Sequence, residues 1–117
     1  MGTIRDHPEV SMSTPATTLE SLRRLETLYS QGYQSEVVDQ ALRDVVAQEL
    51  QELRREASLI TADIAELERK YQMKSADFQE RFNSGTLGDD ADFFQWSALN
   101  GMAHSLARRL QVLEYGP

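Results

Sequence analysis

Apolar residues recur along this chain at helical rather than strand spacing, and the pattern resolves into four helical segments. Leu19, Leu22, Leu25 and Leu28 repeat at threes with Tyr29 beside them, which gives one apolar stripe. Thr17 and Thr18 are both suitable caps for it, and Glu20 stands three residues after Thr17, as a capping box requires. Gly32 interrupts the stripe where a left-handed C-terminal residue is expected, and Tyr33 and Gln34 make the turn. Ser35 then predicts the cap of a second helix running from Glu36 to about Met73, a span with neither Pro nor Gly. Such a helix would be on the order of 55 Å long.

The apolar positions of this second helix are Val38, Leu42, Val45 and Val46, then Leu50, Leu53, Ala57, Ile60, Ile64, Leu67 and Tyr71. From Leu50 onward the steps alternate between three and four, the spacing of a coiled-coil seam. The step from Val45 to Leu50 breaks the heptad, so the seam is expected to change partner there. Its early half would pack on the first helix and its later half on another element.

Ser75 is the expected cap of a short helix from Ala76 to about Phe82, and residues 83–90, Asn-Ser-Gly-Thr-Leu-Gly-Asp-Asp, read as a loop. Asp89 or Asp90 would cap a final helix with Asp92 in its first turn, where negative charge suits the positive end of the dipole. Trp96, Leu99, Ala103, Leu106, Leu110 and Leu113 give that helix a matching stripe. Gly101 costs it some propensity, Arg108 and Arg109 suit its C-terminal end, and Gly116-Pro117 closes it. Two seamed helices joined by a turn region predict an all-α fold, in which the long helix and the C-terminal helix form an antiparallel coiled-coil hairpin. A short N-terminal helix and a disordered tail complete it. A homodimer is the natural extension, since thin helical layers leave a seam open unless another copy covers it.

Residues 1–17 carry Pro8 and Pro15 and no apolar period, so they read as the tail, with residues 18–117 as a single helical domain. Met12-Ser13-Thr14 offers a second start, which would make the first eleven residues an upstream extension. Nothing resembles a signal peptide or a bilayer-crossing run, so cytoplasmic residence is expected. The absence of cysteine rules out disulfides, thiolate catalysis and Cys-based zinc sites. Nineteen acids against twelve bases give a formal charge of −7. That balance disfavours phosphate-backbone binding and is compatible with a basic protein partner, although on charge alone plain solubility is the first explanation.

The groups with reactive or metal-binding side chains fail on spacing. Asp89, Asp90 and Asp92 are dense, but counting from Asp89 the sixth residue is Phe94 and the twelfth Asn100, where a calcium loop needs Gly and Glu. Capping explains these acids better than a metal does. His7 and His104 have no second ligand at metal-binding spacing, no serine lies in a nucleophile elbow, and Gly85 and Gly88 precede no phosphate-loop lysine. The expectation is therefore a non-enzymatic chain with no metal and no cofactor.

The aromatics Tyr71, Phe78, Phe82, Phe93, Phe94 and Trp96 would gather at the hairpin's tip. A tip core that fastens the hairpin is the first reading of them; exposed anchors for a partner are the second, with Asp89, Asp90 and Asp92 supplying electrostatic selection. Both readings can hold for different residues.

Two resemblances bear on function. Leu19 to Val46, with its Tyr-x-x-Gly-Tyr-x-Ser-Glu-Val-Val-Asp-x-Ala-Leu-Arg run, resembles the two helices of ribbon-helix-helix repressors, many of which are antitoxins. That family reads DNA through an N-terminal strand anchored by basic residues. Here residues 13–18 include Pro15 and no Lys or Arg, and Asp39 stands where the family often has a base, which favours the helical dimerisation half. Tyr71 to Trp96, with Gly85-Thr86-Leu87-Gly88-Asp89-Asp90-Ala91-Asp92-Phe93-Phe94-Gln95-Trp96, resembles small cyanobacterial-type helical proteins of toxin–antitoxin-like loci. These resemblances imply an antitoxin-like interaction protein that neutralises a basic toxin. A DNA-binding regulator of ribbon-helix-helix type and a self-assembling coiled-coil scaffold are the alternatives.

Overall fold

The computed structural model describes residues 15–117, and these contain four helices and no strand: α1 (Pro15–Ser30), α2 (Glu36–Tyr71), α3 (Ser75–Asn83) and α4 (Ala91–Tyr115). The all-α architecture and the packing of α2 on α4 agree with the seam pattern. Most of the tail, with His7 and the second start at Met12, lies outside the described residues.

The helix ends follow local chemistry, with three departures from expectation. Helix α1 begins at Pro15, so residues 15–17 are helical rather than tail. Proline at a first helical position has a preset φ and gives up an N–H that would be unpaired anyway. Thr17 and Thr18 therefore lie inside the helix instead of capping it. Its C-terminus closes as expected: the Tyr33 N–H donates to the Leu28 carbonyl and the Gly32 N–H to that of Tyr29, both at 3.1 Å. This doubled bond needs a left-handed residue, and Gly32 supplies it with φ +96°. Ser35 caps α2, its Oγ accepting the Val38 N–H at 3.3 Å.

Helix α2 stops at Tyr71, two residues early, because Gln72 takes the left-handed conformation at φ +52°. The Met73 N–H then returns to the Glu68 carbonyl, and Gln72 Nε2 donates to the Arg69 carbonyl at 2.8 Å. The third departure is Ser75, which is the first residue of α3 and not its cap; the cap position is Lys74, with no side-chain bond. The Ser75 N–H is satisfied instead by Glu68 Oε2 at 2.8 Å, and its hydroxyl accepts the indole N–H of Trp96 at 2.9 Å. A buried indole N–H demands an acceptor, and that demand sets the position of Ser75. Asp90 caps α4, its Oδ1 accepting the Asp92 N–H at 2.8 Å.

The chain divides into two compact units, Met1–Ala41 and Leu42–Pro117. In the first, no described residue is buried. The turn is held by the hydroxyl of Tyr29, which sits 2.7 Å from Asp39 Oδ1 and accepts the Ser35 N–H at 3.2 Å. Tyr33 packs edge-on against the Tyr29 ring.

The second unit has a core: Ile60 and Leu67 from α2, Phe78 from α3, and Trp96, Leu99 and Leu106 from α4. Leu53, Ala57, Ile64 and Tyr71 flank it from α2, as the seam spacing requires. Two polar links fix the antiparallel register. Arg54 pairs with Glu114 at one end, and Lys70 and Tyr71 meet Asp92 at the other. Asn100 is the one buried polar residue among those described, and its Nδ2 donates to Gln79 Oε1 of α3 at 3.0 Å. Because Glu114 reaches only to Arg54, α4 ends before the N-terminal part of α2, where Leu42, Val45 and Val46 remain exposed.

Candidate protein-binding surface

The aromatic residues expected at the tip do come together, and they separate into interior and surface. Trp96 and Phe78 are fully buried and stack nearly parallel, with ring centroids 4.1 Å apart. Tyr71 and Phe93 pack on this pair at 5.1 Å from each other, and Phe82 stacks on Phe78 at 5.4 Å. All of these rings are buried or half-buried, so they are the fastening of α2, α3 and α4.

Phe94 differs. It stands edge-on to Phe82 at 5.4 Å yet is 57% exposed. Successive residues on a helix point about 100° apart, so Phe93 turns inward while Phe94 faces out. A large apolar ring in water, braced by a fixed neighbour, loses little side-chain freedom when a partner covers it.

The three acids also take different roles. Asp92 Oδ2 accepts from Lys70 Nζ and from the Tyr71 hydroxyl, both at 2.7 Å. Lys70 first, then Tyr71, hold its carboxyl below the ordinary aspartate range. In return, Asp92 raises both the Lys70 ammonium and the Tyr71 phenol. Asp90 is committed to the α4 cap, and Asp89 lies exposed in the preceding loop. An open hollow of about 300 Å³ is bounded by Asp63, Glu66, Leu67, Lys70, Asp92 and Gln95, which makes this side of the α2–α4 pair acidic.

A second open groove, about 640 Å³, is lined by Glu49, Leu53, Arg108, Arg109, Val112 and Leu113. The sequence reading placed Leu53 and Leu113 in the seam and missed this groove. Its signal was the early end of α4, which leaves the last seam layer without a lid. Among the described residues no three His, Cys, Asp or Glu side chains are grouped as a metal site requires, and His104 is exposed. No described helix is long and apolar enough to cross a membrane. The chain matches no family model, no curated protein and no solved structure in such comparisons.

Proposed function

We propose that this chain is a non-enzymatic protein–protein interaction module of the antitoxin kind, acting as a homodimer and neutralising a basic toxin partner. The observation that supports the reading best is Phe94, a mostly exposed ring braced by Phe82 on a rigid aromatic stack. Exposed Asp89 and the acidic hollow around Asp63, Glu66 and Asp92 would select a basic surface and speed encounter with it. Phe78 and Trp96 support the surface from beneath and do not touch the partner. Tyr71, Phe82, Asp90, Asp92 and Phe93 hold its shape.

Co-expression with the product of the adjacent gene tests this reading. The expected result is a stable complex and relief of that product's toxicity. Phe94→Ala should weaken the complex by roughly ten- to a hundredfold, as loss of an aromatic anchor does, with the thermal midpoint of the free chain unchanged. A neighbour that is harmless alone and does not co-purify would overturn the proposal.

A further inference from the structure

Two helices packed side by side bury one seam and leave a groove on each side of it. In the α2–α4 pair, α3 fills one groove: Gln79 bonds Ser97 and Asn100, and Ser75 accepts the Trp96 indole N–H. The opposite groove has no covering element within the Leu42–Pro117 unit, every residue of which is described. The hollow beside Asp63 and Leu67 and the groove beside Leu53 and Leu113 are its two ends. Apolar side chains line its whole length. Phe94 and Val112 lie about five helical turns apart on α4, so they point the same way with about 27 Å between them. Met102 stands between them, rotated by about 80° toward α2, and Leu59, one turn before Asp63, joins from α2. All four are at least half exposed, more than scattered surface apolar residues require.

The two walls of this groove carry opposite free charges. Glu49, Glu56 and Asp63 recur at sevens along one edge of α2, and among the described residues none of them has an ion pair. Lys70 ends that row and is engaged by Asp92. Glu52 and Glu66 beside the row are paired with Arg55 and Arg69. On α4, Arg108 and Arg109 line the groove without a carboxylate partner, while Glu114 pairs with Arg54 on the other side of the seam. An acidic row facing two free arginines across an apolar floor complements a helix with bases along one edge and acid at one end of the other.

Resting on the partner-binding reading above, we infer that the partner presents an amphipathic helix of about five turns, which lies in the α2–α4 groove opposite α3 and completes a three-helix bundle. Its apolar stripe covers Leu59, Met102 and Val112, its basic edge runs along Glu49, Glu56 and Asp63, and its acidic end meets Arg108 and Arg109. Phe94 is then the terminal anchor of a long groove rather than an isolated ring. The free charges also fix which way the helix runs, because only one direction brings acid to the arginines.

Fluorescence anisotropy of the full chain with a labelled synthetic helical peptide of about 20 residues tests the assignment. The peptide carries leucines on one face, lysines along one edge and two glutamates on the other edge, placed at one end or the other in two versions. One version should bind saturably, one peptide per chain, and more tightly than the other. Met102→Gln combined with Val112→Gln should weaken it roughly tenfold or more, with the near-ultraviolet signal of Trp96 unchanged. Arg108→Glu combined with Arg109→Glu should weaken it too, and a peptide with lysines in place of the two glutamates should restore binding to that chain. Val37→Asp, outside the groove, should change nothing. Absence of saturable binding, equal binding of both versions, or binding indifferent to the paired glutamine changes would each overturn the inference. So would self-association that competes with the peptide and is lost in the same variant, since a second copy would then fill the groove. A neighbouring gene product captured equally well by the glutamine variant would remove the groove and leave the antitoxin reading standing. Peptide binding without a toxic neighbour would do the reverse.

Discussion

The two units of this chain each centre on a tyrosine hydroxyl bonded to an aspartate, yet they are stabilised in different ways. In Leu42–Pro117 the Tyr71–Asp92 bond lies at the edge of a stacked aromatic core in which Trp96 and Phe78 are fully buried. In Pro15–Ala41 the Tyr29–Asp39 bond has no core beneath it, since no described residue there is buried. The same polar link therefore trims a packed structure in one unit and is the main tertiary tie in the other. Hydrogen bonds of this kind exchange with water at small net gain, so the packed unit should dominate global stability.

The largest expected effect comes from cutting into that core. Trp96→Ala or Phe78→Ala should lower unfolding free energy by about 3–5 kcal/mol in urea titrations. Leu22→Ala, at a residue 47% exposed, should cost under about 1 kcal/mol, as surface changes do. Equal losses at the two sites would break the contrast between the units.

Next in size is the pH dependence. Asp92 has its carboxyl lowered by Lys70 and Tyr71, so its contribution is complete above the ordinary carboxylate range and is lost as pH falls through its folded value. Tyr71 and Lys70 are raised by Asp92, so theirs is complete at neutral pH and is lost as pH rises through their folded values. Asp92→Asn should flatten both limbs of the thermal midpoint against pH. Tyr29 is also raised, chiefly by its bond to Asp39, and predicts only an alkaline loss of order in α1. An acid limb unchanged by Asp92→Asn would show that the Lys70–Asp92–Tyr71 link adds nothing to the second unit.

The smallest expected effect is local. Gln72 ends α2 in the left-handed region at φ +52°, a conformation that costs a side chain roughly 1 kcal/mol. Gln72→Gly should raise stability by up to about that amount, reduced by the lost bond from its side chain to the Arg69 carbonyl.

Much of the second unit was legible because spacing is a direct image of helix geometry. The three-four steps from Leu50 to Tyr71 and from Trp96 to Leu113 placed Ile60, Leu67, Trp96, Leu99 and Leu106 on facing stripes, and these are the buried members of the two stripes. The caps at Ser35 and Asp90 were legible for the same reason, since each bonds a group two or three residues away. The role of Ser75 was not, because its hydroxyl answers an indole 21 residues further on. The pairing of Asn100 with Gln79 is equally remote in sequence and gives no periodic signal. The candidate surface was legible as a group of rings but not in its sides. Phe93 and Phe94 are adjacent and chemically alike, and only the rotation of α4 against α2 and α3 decides which one meets water.

Amide hydrogen exchange followed by mass spectrometry tests the contrast most directly. The account predicts slow exchange in residues 54–71, α3 and α4, with fast exchange in α1. Exchange in α1 as slow as in α4 would contradict it.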